Sequence, residues 1–170
     1  QIPIMLYLIA NRNINVQTVT CMGELYEQVF EGMKRDKAGL TAEILERHYL
    51  IAQRIAYCMD REGLLTVSSD MVREWCGELF DETFFSSVYI ENSIIEGAWM
   101  LEFVHKSILE FFAVKWIFRQ LQGDRVLEAL GDSYISDEVL EYLEYFMKSK
   151  HMLRGDVRQC VRQAFNDFAE

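Results

Sequence analysis

The stretch that most constrains this chain is residues 99–114, WMLEFVHKSILEFFAV, where a period of two gives way to a nearly continuous apolar run. Trp99, Leu101, Phe103 and His105 share one parity, as alternate side chains of a strand share one sheet face. Ser107 and Glu110 then have capping-box spacing, the hydroxyl for the N3 amide and the carboxylate for the cap's own amide. Phe111, Phe112, Trp116 and Phe118 predict a largely buried helix behind that cap. His105 is thus expected at a strand-to-helix junction, two residues ahead of the N-cap. Unpaired amides and the positive end of the helix dipole make such a junction a place for an anion. The plainer role for a histidine beside an apolar run is a packed or hydrogen-bonded core residue, and both readings stand at this point.

The rest of the chain predicts helices around a small hairpin. Pro3 leads Ile4, Met5, Leu6, Leu8 and Ile9 into an apolar helix, with the proline in the first turn where its missing amide costs nothing. A polar loop over 11–17 follows. Thr18 or Thr20 is positioned to cap a helix in which Met22, Leu25, Tyr26, Val29 and Met33 repeat at helical spacing, with Glu24, Glu27, Gln28 and Glu31 opposite. Thr41 opens a longer helix, with Ile44, His48, Ile51, Ala52, Ile55 and Met59 on one face and Gly63 as the stop. His48 has no second ligand at i+4 and is expected in the core.

Residues 64–67 read as a short strand. Ser68 or Ser69 caps a helix with Val72, Trp75, Cys76 and Leu79 inward. Residues 88–95, the turn Glu96-Gly97 and the strand from Trp99 form a hairpin. Beyond Gly123 the pattern is helical, with starts at Asp124, Ser136 and Asp156. Val139, Leu140, Leu143, Phe146 and Met147 form the stripe of the middle helix. Helix, helix, short strand, helix, hairpin, helix is the order of a winged helix. The expected fold is therefore mainly α: a winged-helix domain with a small β-hairpin, followed by a helical domain. The expected division is 1–17 as the end of a preceding helical domain, 18–122 as the winged helix and 123–170 as the start of a second helical domain. Both ends fall at apolar segments, which points to an excerpt of a longer protein.

Phe103-x-His105-x-Ser107-x-x-Glu110-Phe111-Phe112-Ala113 resembles the aromatic-x-His-x-Ser/Thr-x-x-Glu-aromatic-aromatic-Ala signature of NACHT-type STAND NTPases, a group that includes NOD-like receptors and bacterial antiphage proteins. In that family the signature closes the winged-helix domain, and its histidine contacts the β-phosphate of bound ADP. The resemblance implies this role for His105, and for Pro3 a position against the adenine. It implies a cytoplasmic, ATP-dependent switch of the immune or antiphage type. ADP and ATP would be its ligands, with magnesium held by a nucleotide-binding domain outside these residues. The implied partners are that domain and, on activation, further copies of the protein.

Composition excludes several other functions. A formal net charge of -10 opposes a phosphate backbone. The helix expected to enter a DNA groove, 69–80, carries Asp70, Glu74 and Glu78 against Arg73, so no DNA or RNA binding is expected. Four cysteines without a C-x-x-C pair read as reduced, mostly buried thiols, with two disulfides as the alternative. No apolar run is long enough for a membrane span. There is no phosphate loop of the G-x-x-x-x-G-K-[ST] type, no H-E-x-x-H, and no catalytic set in these residues. Lys115, Arg119 and Gln122 share a helix face, read as a solvated stripe or a contact to the ATPase domain. The competing class is a helical adaptor or scaffold that binds a protein partner and no nucleotide.

Overall fold

The structure, a computed structural model, describes residues 19–36, 40–87, 90–95, 97–121 and 137–149. Pro3, Gln122, Asp124, Asp156 and Cys160 lie outside them, as does the whole of the expected first domain.

Helix α1 (Met22–Asp36) buries Leu25, Tyr26, Val29 and Phe30. Of the two threonines expected to cap it, Thr18 lies outside the described residues. Thr20 donates its amide and its hydroxyl to Glu24, at 2.9 and 2.8 Å, so the first-turn carboxylate is the acceptor in that pair. Helix α2 (Ala42–Glu62) has the expected ends. The Thr41 side chain accepts from the Ile44 amide, and Gly63, at φ 65°, turns left-handed. The amides of Gly63 and Leu64 then return to the carbonyls of Asp60 and Met59, a Schellman closure that glycine permits without a Cβ clash.

Strand β1 (Thr66–Ser68) leads into helix α3 (Ser69–Cys76), which Ser68 caps through the Met71 amide. The predicted helix over 69–80 is cut short, because Gly77 adopts φ 51° and a 3-10 turn, Gly77–Leu79, takes over. A second 3-10 turn, Glu82–Ser86, precedes strands β2 (Ile90–Ile95) and β3 (Ala98–Phe103). The three strands form an antiparallel sheet of order β1-β3-β2, with Val67 opposite Leu101 and Ile90 opposite Phe103. In a winged helix the groove-reading helix directly precedes the hairpin. That place is held here by the Glu82–Ser86 turn, not by α3.

Helix α4 (Lys106–Leu121) runs through the middle of the core, with every residue from Ile108 to Val114 buried. Phe111 meets Tyr26, Phe30, Tyr142 and Phe146, while Phe112 meets Phe30, Tyr49 and Phe103, with ring centroids 5.0–6.1 Å apart. Such pairs add roughly 0.5–1.5 kcal/mol each beyond the area they bury. Helix α5 (Asp137–Ser149) lays Val139, Tyr142 and Phe146 on this same core, although it lies beyond the expected boundary at 122–123.

Lys115 is not part of a solvated stripe. Its ammonium lies 2.6 Å from a Glu27 carboxylate oxygen and 4.4 Å from the Phe146 ring centre. Tyr145 donates to the other Glu27 oxygen at 2.8 Å, so one polar cluster ties α1, α4 and α5. Arg119 is exposed.

Candidate functional site

His105 stands where β3 passes into α4, but it does not precede the cap: it is the cap. The strand ends at Phe103, and the His105 carbonyl accepts from the amides of Ile108 and Leu109, at 3.0 and 3.3 Å. Its ring Nδ1 accepts from the Ser107 amide at 3.2 Å, which satisfies one of the first-turn donors that a helix cannot pair internally. Ser107 is therefore inside the first turn, and the predicted Ser107/Glu110 capping box is absent. Glu110 is instead buried beneath the turn, with its carboxylate 3.1 Å from the Lys106 ammonium.

This geometry assigns the imidazole's protons. A backbone N–H can only donate, so Nδ1 carries the lone pair and the ring hydrogen sits on Nε2. The Ser107 hydroxyl, 2.6 Å from Nδ1, accordingly donates to it as well. With Nδ1 engaged from inside the turn and the residue exposed, Nε2–H is the group His105 presents outward.

Behind Ser107 lies a buried phenol. Tyr26 from α1 is hydrogen-bonded to the Ser107 oxygen, and the Tyr142 ring from α5 meets the Tyr26 ring edge-on, with centroids 5.9 Å apart. Burial pushes both phenols above their ordinary value, and the nearby Glu110 charge adds to the effect. Both therefore remain protonated donors near neutral pH. Asp60, at the end of α2, is also pushed up, first by burial and then by the Glu110 charge, against which Lys106 acts.

The other residues singled out in the sequence lie apart from this junction. His48 is buried, and its Nε2 is 2.8 Å from the Thr83 hydroxyl, as expected of a core histidine. Cys58 and Cys76 are free thiols. Burial, with the Cys58 charge adding, pushes Cys76 up to about 12, which leaves it inert as a nucleophile. A cleft of about 350 Å³ between α2, α3 and α4 is lined by Arg54, Trp75 and Trp116, and His105 is not part of it. No group of three or more His, Cys, Asp or Glu among the described residues could hold a metal ion. What the junction offers is one outward N–H donor at a helix N-terminus.

Sequence reasoning found His105 and Ser107 but missed Tyr26 as a polar group. The available signal was a tyrosine, not a phenylalanine, at an otherwise apolar core position. No helix among the described residues is long and apolar enough to cross a membrane. The chain matches no family model, no curated protein and no solved structure.

Proposed function

We propose that this chain is the regulatory winged-helix part of an ATP-dependent signalling switch of the NACHT-type STAND class, of the immune or antiphage kind. In this reading His105 donates its Nε2–H to a phosphate of ADP held, with magnesium, by a nucleotide-binding domain of the same cytoplasmic protein. The observation that carries the reading is the His105 geometry. Nδ1 is engaged by Ser107, Nε2–H faces outward, and the site caps a helix N-terminus. Partial positive charge there favours an anion. A contact made only in the closed, ADP-bound arrangement couples the nucleotide to domain position, because it differs between the two states. Loss of that contact would open the protein and let copies assemble. Nucleic acid has no place in this scheme. The turn ahead of the hairpin carries Asp81 and Glu82, and the nearby Arg73 is already paired with Asp70 and Glu82.

The test is the rate of ADP release from the whole protein that contains this chain. A hydrogen bond to a charged group is worth about 1.5–3 kcal/mol, so His105→Ala should speed release roughly 10- to 150-fold. Unchanged release would overturn the reading. One observation favours the adaptor alternative. Ile94 and Trp99, register partners near the hairpin turn, are 65% and 54% exposed and offer an apolar contact for a protein partner. The adaptor reading forecasts no ADP binding by the whole protein at all.

A further inference from the structure

We propose that Tyr26 is a positioning residue that acts through Ser107 to hold His105 as an Nε2–H donor, so that the seating of α1 is felt at the imidazole. Its functional consequence rests on the anion-donor reading of His105, whereas the hydrogen-bond line itself does not.

The line has a direction at each step. His105 Nδ1 is an acceptor, because the Ser107 amide points a hydrogen at it. The Ser107 hydroxyl spends its one hydrogen on Nδ1 at 2.6 Å, so toward Tyr26 it can only accept. Tyr26 then gives its hydrogen to Ser107. Each hydroxyl has one hydrogen, and each is used toward His105. Reversal at any point would leave two lone pairs, or two hydrogens, facing each other.

The line also has a geography. It starts on α1 and ends at the first turn of α4. Tyr26 is fully buried, and its ring packs against both Phe111 and Tyr142. A shift of α1 that withdraws the Tyr26 hydrogen leaves the Ser107 oxygen open to another donor. Ser107 is then no longer obliged to donate to Nδ1 and can accept from it instead. The Nδ1–H tautomer becomes accessible, and in that tautomer the outward nitrogen is a lone pair that repels a phosphate oxygen. A helix some distance from the histidine would in this way set the sign of what the histidine shows to an anion.

The test reads the tautomer directly from the ring ¹⁵N shifts of His105 in the full chain, in buffer alkaline enough to keep the imidazole neutral. Wild type should show Nε2–H almost alone. Tyr26→Phe and Ser107→Ala should lower the Nε2–H to Nδ1–H ratio by about 2- to 10-fold, the range for loss of one neutral hydrogen bond. Tyr145→Phe, which alters a phenol that bonds Glu27 on α1 but lies outside the line, should leave it unchanged, and this separates positioning from a general loosening of α1. An unchanged ratio in Tyr26→Phe overturns the proposal. If the ratios move as expected while His105→Ala leaves ADP release unaltered, the line stands and the nucleotide reading falls. If release is faster in His105→Ala but the ratios stay at wild type, the line alone falls.

Discussion

His48 and His105 each meet a hydroxyl, and the hydrogen bonds around them run in opposite directions. Thr83 gives its hydroxyl hydrogen to Asp81 at 2.6 Å, so it accepts from His48 Nε2, and that line ends on a carboxylate near the surface. At the other site the hydrogens flow from a buried phenol toward the ring, and the imidazole's own N–H is left for something outside. His48 is 1% exposed and lies edge-on to Phe84. The comparison teaches that a histidine's role is read from which nitrogen is already spent and where the other points. Burial and residue type do not decide it.

Solution pH should separate the two regions, and this is the largest effect expected. Tyr26, Tyr142 and Tyr145 all have folded values above the ordinary 10, chiefly from burial. An acid with a raised folded value contributes stability below its unfolded value and loses it as pH rises. Above about pH 10 each phenol should therefore cost up to about 1.4 kcal/mol per pH unit. The loss should fall on α1, α4 and α5. Asp81 is the reverse case: bonds from the Thr83 hydroxyl and amide hold it below the ordinary 3.8. Its contribution is present above that value and fades as pH falls through the folded one, so acid should loosen the turn at 81–83. Hydrogen exchange at both extremes of pH checks the split. Alkaline loosening around Thr83 with α5 intact would break it.

Truncation should rank the two imidazoles. His48→Ala removes a packed ring and its bond to Thr83 and leaves a void beside Phe84, for about 2–4 kcal/mol. His105→Ala removes an exposed cap acceptor, for about 1 kcal/mol. Urea midpoints of the two variants measure the difference. Equal losses would place His105 in the core after all.

Gly23 sharpens the contrast from the other side. A Cβ there would lie 2.7 Å from Cδ1 of Tyr145 and 3.0 Å from its Cγ, so alanine must push the ring that bonds Glu27. Overpacking of this kind costs about 1–3 kcal/mol, partly offset by roughly 1 kcal/mol of helix propensity. Gly23→Ala should lower exchange protection in 137–149 and leave α2 around His48 untouched. Tyr145→Ala in the same chain should remove the clash, and a double-mutant cycle would show the coupling.

Much of this fold was legible because its signals are local. Thr41 and Gly63 bound α2 as cap chemistry requires, and the apolar stripe that contains His48 placed that residue inside. The hairpin followed from alternation around Gly97. Two of the misreadings share one cause, a partner distant in sequence. Ser107 looked like an N-cap, but its hydroxyl is claimed by Tyr26, 81 residues away, so the cap moved to His105. Lys115 looked solvated, but Glu27 lies 88 residues earlier and Phe146 is on α5. The break at Gly77 is a backbone choice, and a periodic pattern running through the glycine could not display it.

The smallest effect expected belongs to Asp60, which lies between the two regions. It occupies the last turn of α2, where a negative charge faces the negative end of the helix dipole. It also shares Lys106 with the buried Glu110 carboxylate, and burial together with the Glu110 charge pushes it up. By the same sign rule, an acid with a raised folded value weighs on the fold once pH rises above the ordinary 3.8. Asp60→Asn should therefore stabilise the chain at neutral pH. The gain should be below about 1 kcal/mol, because Asp60 is not fully buried and solvent screens part of the repulsion. The gain should vanish near pH 3, where the wild-type carboxyl is already neutral. Glu110→Gln makes the contrast, since it leaves Lys106 without its 3.1 Å partner and should not stabilise. Melting temperatures of both variants at acid and neutral pH decide the matter. A neutral-pH loss in Asp60→Asn would mean that Asp60, and not Glu110, is the main partner of Lys106 beneath the His105 junction.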